Sequence, residues 1–173
     1  MGVSPVLADY LSKHHVNYEV LRHEHTSTSM ATAREAHVPP AKLAKAVIVR
    51  QDDRYAMCVI PAANELVVEW LEYGRQHGYE IAEESELRKL FPDCDEGAIP
   101  CLGDAFHMDV IVDNALLEAG MDVYIEGGDH HHLLHLSHKD FSRLMSNAWP
   151  APISCLRGGQ GYKPYLWAPP EDG

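Results

Sequence analysis

The run at 44–49, Ala44-Lys45-Ala46-Val47-Ile48-Val49, is apolar apart from its lysine. Small and β-branched residues follow Lys45, which is typical of a buried strand. A second apolar run at 55–60 lies beyond the connection Gln51-Asp52-Asp53-Arg54, so the two runs predict a β-hairpin. A lysine at the mouth of a buried strand either extends its ammonium group into solvent or holds it over a pocket. This stretch alone leaves both alternatives open.

Helical and strand patterns alternate on both sides of this hairpin. Ser4-Pro5 predicts the start of a first helix, and one of the residues 27–29 caps a second helix that ends before Pro39-Pro40. Further strands are predicted at 18–21, 79–82, 108–112 and 122–125, and further helices at 64–78, 83–90 and 141–147. The alternation predicts an α/β or α+β fold with a mixed, partly antiparallel sheet and flanking helices.

The length and composition predict one domain with a C-terminal extension. Residues 1–148 carry the alternating pattern, whereas residues 149–173 combine prolines and glycines with aromatic residues. Disordered linkers lack such aromatics, so we expect an irregular extension that docks on the domain or on a partner. The four cysteines form no CxxC pair, and the chain has no membrane-length apolar stretch and no signal-peptide pattern. These features predict a cytoplasmic protein that does not enter a membrane.

The negative charge is unevenly distributed. The formal net charge is −12, and residues 61–173 hold seven Lys/Arg against twenty Asp/Glu, whereas residues 1–60 hold seven against six. Because affinity for nucleic acid comes mainly from neutralised phosphates, an acidic chain is a poor nonspecific binder, and we expect no DNA binding. A contact with RNA should therefore be small and should lie around Lys42, Lys45, Arg50 and Arg54.

A histidine cluster and a Gly/Pro loop are the two stretches that invite a chemical interpretation. His130, His131, His132, His135 and His138 follow a Gly-Gly pair, but neighbouring positions of a strand point to opposite faces. The cluster contains no H-E-x-x-H motif and no cysteine in register, so we predict no metal site and no cofactor. A histidine of this cluster could instead line a pocket.

The loop is Gly97-Ala98-Ile99-Pro100-Cys101-Leu102-Gly103. Its glycines allow close backbone approach, so its N–H groups could point at a carbonyl or phosphate oxygen. The alternative is a tight entry into the next strand. The spacing matches neither a P-loop nor a dinucleotide fingerprint. Cys101 is a poor candidate nucleophile, because no oriented base can be named.

Taken in order along the chain, these motifs resemble the YbaK/prolyl-tRNA-synthetase-associated domain family, the free-standing aminoacyl-tRNA deacylases. The resemblance extends over about residues 10–144. It is carried by the His-x-x-Thr-Ser-x-x-Ala-Thr-x-x-x-Ala pattern at 25–36, the stretches 43–49, 59–61 and 82–87, the Gly/Pro loop at 97–103, Val112-Asp113, and the Gly-Gly-x-His pattern at 127–130.

The resemblance implies a mixed-sheet domain with a pocket for the aminoacyl-adenosine end of a mischarged tRNA. It implies that Lys45 is the catalytic residue and that the 97–103 loop holds the ester through its backbone. The substrate contacts expected on this basis are His25, Thr28, Gly97, Ala98, Ile99, Cys101, Gly103 and His130. Thr28 could instead serve only as a helix cap. Cys101 departs from the family pattern, which has proline there, so the preferred amino acid cannot be carried over.

Hydrolysis of an aminoacyl ester needs positioning, an oxyanion site and a water rather than a catalytic triad. Lys45 could hold the terminal phosphate or polarise the ester carbonyl, with backbone N–H groups near Gly97 and Ala98 stabilising the oxyanion. The substrate's own amine or ribose hydroxyl could activate the water, and His25 or His130 could act as a base or as a wall. The predicted function is deacylation of a tRNA mischarged with a small amino acid, acting on its acceptor end. The alternative is a non-catalytic module that binds a synthetase or an aminoacyl-like ligand.

Overall fold

The computed structural model describes residues 2–71, 78–118 and 120–156. Within these ranges the helices are α1 (Pro5–Lys13), α2 (Ser29–Glu35), α3 (Val68–Leu71), α4 (Glu84–Leu90) and α5 (His138–Leu144). The strands are β1 (Glu19–Arg22), β2 (Leu43–Gln51), β3 (Arg54–Pro61), β4 (Asn64–Leu66), β5 (Glu80–Ile81), β6 (Asp109–Asp113), β7 (Val123–Glu126), β8 (His132–Leu136), β9 (Trp149–Ala151) and β10 (Ser154–Leu156). None of the described helices has the length and apolar character that crossing a bilayer requires.

The large sheet is mixed. Its strands follow the order β1-β8-β7-β2-β3-β6-β9, with β5 added beside β2, and β4 pairs separately with β10. The β2–β3, β2–β5, β7–β8 and β1–β8 pairs are antiparallel, whereas β2–β7, β3–β6 and β6–β9 are parallel. This architecture, with helices on both faces, confirms the predicted fold class.

The hairpin at the centre of the sheet is the predicted one. Its strands run in register from Ala44 opposite Pro61 to Gln51 opposite Arg54, so the turn is formed by the two aspartates between them. Asp52 adopts a φ of 53°, a left-handed conformation that aspartate tolerates better than most residues. Lys45 lies opposite Ile60. The hairpin is therefore a rigid central element. Lys45 belongs to the second residue pair from its open end.

Alternating side chains of the central strands pack against helices on the two faces of the sheet. On one face, Ile48 and Ile125 join Leu7 of α1 and Phe141 of α5 in the main core. On the other face, two smaller clusters form. The first contains Leu43, Leu133 and Ala33 of α2, and the second contains Val49, Ile111, Ile153 and Leu71 of α3. This two-sided burial explains why 44–49 is apolar without interruption after its lysine.

Two predicted helix starts are made by the expected caps. The Ser4 side chain accepts a hydrogen bond from the Leu7 N–H at 3.3 Å, with Pro5 as the first helical residue. The Ser137 side chain accepts from the Asp140 N–H at 3.1 Å and starts α5 at His138, three residues before the predicted start. Local sequence is sufficient here because the cap and its partner are only three residues apart.

The helix predicted to begin at Asn64 is wrong in its first turn. Asn64 belongs to strand β4, which pairs with β10, and its side-chain amide donates to Ser154 Oγ at 2.9 Å. The helix itself begins at Val68. The strand partner lies ninety residues away, so no local signal could reveal it. The predicted end of this helix falls partly in residues 72–77, which lie outside the described residues.

The first part of the predicted extension pairs with the domain. β9 lies parallel to β6 at the edge of the large sheet, and β10 lies antiparallel to β4. Asp113 joins the two strands, because its carboxylate accepts from the Ile153 N–H and from Ser154 Oγ, the latter at 2.6 Å. Residues 157–173, the remainder of the extension, lie outside the described residues.

Candidate functional site

A cleft opens where the large sheet has a gap beside β2. β2 pairs with β7 only through Leu43 and Ala44, and with β5 only through Val49 and Arg50. No described strand pairs with residues 45–48 on this side. The resulting cleft has a volume of about 390 Å³. Its lining consists of Ser27, Thr28, Ser29, Met30, Lys45, Ala46, Val47, Ile48, Ile81, Ala82, Glu84, Leu87, Gly97, Ile99 and Glu126.

The backbone of β2 also faces this gap. The carbonyls of Lys42 and Ile48 point towards it, since they accept hydrogen bonds at 2.9 Å from the N–H groups of Tyr124 and Ala82. Backbone groups of alternate residues in a strand point the same way, so the N–H and C=O of Ala46 face the opening between these two bonds. The cleft therefore offers a donor and an acceptor from the main chain.

Lys45 is held on the cleft wall by the hairpin. Its side chain is half-buried, and its backbone is fixed within the β2–β3 ladder. The structure therefore places Lys45 at a pocket rather than at an open strand end. The backbone of Lys45 is rigid because it belongs to the strand, whereas its ammonium group is at the end of a flexible four-carbon side chain.

The N-terminus of α2 forms one wall, which contains Thr28 and Ser29. Thr28 caps the helix, as its hydroxyl accepts from the Ala31 N–H at 3.1 Å and its carbonyl accepts from the Thr32 hydroxyl at 2.9 Å. Thr28 thus serves as a cap and also lines the cleft, so its capping role leaves the predicted substrate contact open. A second bond between the hydroxyls of Thr26 and Thr32, at 2.6 Å, holds this wall together.

The Gly97 end of the loop forms the opposite wall. Gly97 has a φ of +78°, and a Cβ at this position would lie 3.3 Å from His130 Cε1 and 3.6 Å from the Ser27 carbonyl. The loop is anchored by the Asp95 N–H, which donates to the Gly128 carbonyl at 2.8 Å. The Ala98 N–H donates to the Asp95 carbonyl at 3.1 Å, so it is already engaged within the loop. No acceptor among the described residues bonds to the Gly97 N–H, which makes it the better oxyanion donor of the two.

Three of the predicted contact residues lie behind the cleft wall rather than on it. Ala98 and Cys101 are fully buried, and burial raises the pKa of the Cys101 thiol well above its ordinary value, with the nearby Glu126 carboxylate acting in the same direction. Gly103 packs against β6, where a Cβ would lie 2.6 Å from Val110 Cγ2. Cys101 and Gly103 therefore shape the core under the loop, while Gly97 and Ile99 reach the cleft.

His25 and His130 lie beside the cleft mouth. Their ring centroids are 5.1 Å apart, and His130 packs its ring edge against Gly97. Neither residue is on the cleft lining, so they support the loop at its outer edge. The other histidines have separate partners, since His132 bonds to Asp129 at 2.7 Å and His135 bonds to Asp122 at 2.9 Å. Across the described ranges, no three His, Cys, Asp or Glu side chains converge as a metal site.

Glu126 is a cleft residue that sequence reasoning missed. It ends β7 with only 2% of its surface exposed, and its Oε2 has no hydrogen-bond partner in the described part of the chain. Burial, together with the nearby Asp129 carboxylate, raises its pKa to about 8. The available signal was an acidic residue at the end of the apolar run Val123-Tyr124-Ile125, directly before Gly127-Gly128. This pattern mirrors Lys45 at the start of β2.

The basic patch predicted for RNA contact is partly neutralised. The Arg50 guanidinium bonds to the Glu86 carboxylate and to Glu80, the latter at 3.2 Å, and Tyr55 donates to Glu86 at 2.9 Å. A hydrogen bond from the Glu83 N–H, together with those from Tyr55 and Arg50, lowers the pKa of Glu86. The bonds from Arg50 and Tyr55 tie α4 to the hairpin. Arg50 therefore braces the wall that carries Glu84 and Leu87, and Lys45 is the cation of the predicted patch that lines the cleft.

Comparison with solved structures supports the same fold. The hypothetical protein APE2540 aligns over 87% of this chain and 99% of its own, with a TM-score of 0.75 and 21% identity. A candidate trans-editing enzyme for prolyl tRNA synthetase aligns over 88% of this chain and 96% of its own, with a TM-score of 0.73 and 17% identity. At these identities the alignments show the fold alone.

The sequence comparisons are more specific. None of the curated proteins compared with the chain matches it. A model of the aminoacyl-tRNA editing domain matches residues 23–144, a range that includes Lys45, the 97–103 loop and Glu126. This match confirms the resemblance inferred from the ordered motifs, and it extends over most of the chain. The protein therefore belongs to the aminoacyl-tRNA editing domain family.

Proposed function

We propose that the protein is an aminoacyl-tRNA deacylase that hydrolyses the ester bond of a tRNA mischarged with a small amino acid. The observation that carries this proposal is that Lys45 on β2 and Gly97 on the opposite loop line one cleft. A flexible cation and a backbone N–H without an internal acceptor are the two groups that an ester carbonyl and its developing oxyanion require.

The size of the cleft supports a small substrate end. About 390 Å³ lies at the lower end of the range for small-molecule sites, and a terminal adenosine would fill much of it. Met30 and Leu87 line this cleft, and a short side chain beside the ester would pack against them. The proposed substrates are therefore tRNAs carrying Ala, Cys, Ser or Thr.

The charge distribution supports a local contact with tRNA. The chain carries a net charge of −12, and Arg50 is engaged by carboxylates. Few phosphates can therefore be neutralised, and recognition would be confined to the acceptor end and to Lys45. A synthetase could deliver the tRNA in that case, and the proposed reaction takes place in the cytoplasm.

Lys45→Ala tests the proposal. We expect the rate of deacylation, screened over Ala-, Cys-, Ser- and Thr-charged tRNAs, to fall by at least about 100-fold, because removal of one preorganised charge from a site costs that much. The matched control is Lys42→Ala, which removes a lysine three positions earlier that is not on the cleft lining. It should keep the wild-type rate, and both variants should keep the wild-type melting temperature within a few degrees.

Full activity of Lys45→Ala on every charged tRNA would eliminate the proposed mechanism. A wild-type protein without turnover on any of them, but with stoichiometric binding to a synthetase, would instead support the non-catalytic alternative.

A further inference from the structure

Glu126 has a buried carboxyl oxygen without a donor. The residue is 2% exposed where it lines the cleft, and its Oε2 has no hydrogen-bond partner in the described part of the chain. A buried polar atom without a partner is costly, so such atoms in native proteins are nearly always paired. An unpaired group that faces a binding cleft indicates that a ligand supplies the partner.

The charges around Glu126 indicate which partner is needed. The Asp129 carboxylate acts on Glu126 and opposes its ionisation. Burial raises the pKa of Asp129, but hydrogen bonds from the His131 N–H and from His132 outweigh it, so Asp129 stays ionised. A cation that enters the cleft would therefore meet the Glu126 carboxyl, and the ionised Asp129 nearby would favour that cation.

The strand register places Glu126 next to Lys45. Ala44 of β2 pairs with Ile125 of the parallel strand β7, so Lys45 and Glu126 are the next residues on two adjacent strands. Both line the cleft. The cleft thus carries one cation and one acid on adjacent strands. This pairing is complementary to a ligand that has a cationic group close to a carbonyl or phosphate oxygen.

We propose that Glu126 binds the α-ammonium group of the aminoacyl moiety and makes the site selective for substrates with a free amine. The inference rests on the proposed deacylase function, because an aminoacyl ester carries an ammonium group one carbon from the ester carbonyl. Lys45 and the Gly97 N–H would contact the carbonyl oxygen of the ester, while Glu126 holds the ammonium group on the neighbouring carbon. Glu126 thereby sets the orientation in which the carbonyl reaches the loop.

Proton release accompanies this binding. With a pKa of about 8, the carboxyl in the empty cleft is mostly protonated at pH 7. An ammonium group at hydrogen-bond distance favours the carboxylate, so the carboxyl proton passes to the buffer and a carboxylate–ammonium pair forms. Binding of a free-amine ligand at pH 7 should therefore release close to one proton for each molecule bound.

Two non-hydrolysable probes test the inference: 3′-alanylamino-3′-deoxyadenosine and its N-acetyl derivative, which lacks the cation. Titration calorimetry in buffers of different ionisation enthalpy measures both affinity and proton release. We expect the wild-type protein to prefer the free amine by about 10- to 100-fold, the usual value of a hydrogen bond to a charged group. Glu126→Gln keeps the shape and should lose both this preference and the proton release.

Glu84→Gln is the matched control. It makes the same change of charge at another carboxyl on the lining of the cleft, but this side chain is exposed and retains its water. It should keep the preference for the free amine and the proton release. Thermal unfolding checks that both variants are folded. Equal wild-type affinity for the two probes, no binding of the free-amine probe, or an unchanged preference in Glu126→Gln would overturn the inference.

Deacylation of Ala-tRNA and N-acetyl-Ala-tRNA separates this inference from the proposed function. Turnover of both substrates with equal kcat/KM would overturn the role of Glu126 and leave the deacylase function standing. Probe binding with the expected preference but without turnover would support Glu126 and contradict the deacylase function. If Glu126→Gln lowers kcat equally on both substrates, the residue is a general base and the ammonium role is overturned.

Discussion

Residues 97–103 form one continuous loop whose two ends meet different surroundings. At the first end, Gly97 has a φ of +78°, and the space for a Cβ faces the His130 ring at 3.3 Å beside the cleft. At the second end, the space for a Cβ at Gly103 is filled by Val110 Cγ2 at 2.6 Å, inside the sheet packing. Between them the chain enters the core at Cys101, which is fully buried.

The two ends show that one motif can serve two physical purposes. Gly97 suits its position because side chains rarely adopt its φ of +78° and because its Cβ position is close to His130 and Ser27, and under the proposed function its N–H faces the substrate. Gly103 is needed because no larger residue fits against β6. Mutations at the first end should therefore affect activity, and mutations at the second should affect stability.

Gly97→Val has the largest expected effect. A branched side chain at this φ is strained, and its atoms would push into the His130 ring and the cleft mouth. We expect kcat/KM for deacylation to fall by at least about 100-fold, because a small displacement of the oxyanion donor is enough for such a loss. Steady-state deacylation kinetics measure it.

Gly120→Val is the control for backbone strain. Gly120 has the same φ of +78°, but nothing lies within 4 Å of its Cβ position. Both variants should lose about 1–2 kcal/mol of unfolding free energy from the left-handed conformation. Only Gly97→Val should lose activity. Equal activity in the two variants would contradict a role for the Gly97 end in the cleft.

The pH dependence of the unfolding free energy tests the burial of the Glu126 carboxyl. The pKa of Glu126 in the folded protein, about 8, lies above its ordinary value of 4.5, so the folded state holds the proton more tightly than the unfolded state. Its contribution is fully present below pH 4.5 and is lost as the pH rises to 8. We expect wild type to lose roughly 3–4 kcal/mol more than Glu126→Gln between pH 5 and 8. Denaturant unfolding at a series of pH values measures this difference.

Parallel curves for wild type and Glu126→Gln would show that the carboxyl titrates in the folded state as it does in the unfolded chain. In that case Glu126 would belong to the solvated rim of the cleft, and the contrast between the cleft end and the core end of the loop would weaken.

Gly103→Ala has the smallest expected effect. The added methyl group overlaps Val110 and lies 3.2 Å from the Met108 carbonyl, so β6 must shift. We expect a loss of roughly 1–2 kcal/mol of unfolding free energy from overpacking. Deacylation per folded molecule should stay at the wild-type rate, since the cleft is lined by the other end of the loop. A loss of activity without a loss of stability would reverse the assignment of the two ends.

Much of the framework was predictable because its signals are local. The β2–β3 hairpin follows from two apolar runs around a polar connection, and the starts of α1 and α5 follow from Ser4 and Ser137. In each case the interacting residues are close in sequence. The sequence also limited Lys45 to two alternatives, because an ammonium group at the start of a buried strand must either reach solvent or lie over a pocket.

The missed features depend on distant partners. Asn64 was predicted as a helix cap but pairs with a strand ninety residues later. Glu126 looked like an ordinary acidic residue at a strand end. Its proposed role depends on its burial beside the gap between β7 and β5, where its Oε2 has no hydrogen-bond partner among the described residues. No property of the sequence near Glu126 specifies that gap.

By itself, the sequence determined the strand that carries Lys45, the helix starts and the family to which the chain belongs. Periodicity and capping determine the first two because they act over a few residues. Only the tertiary structure decided that Gly97 faces a cleft while Gly103 faces the core, and that Glu126 and Lys45 line the same cleft. Packing and desolvation decide these points, because they depend on which segments the folded chain brings together.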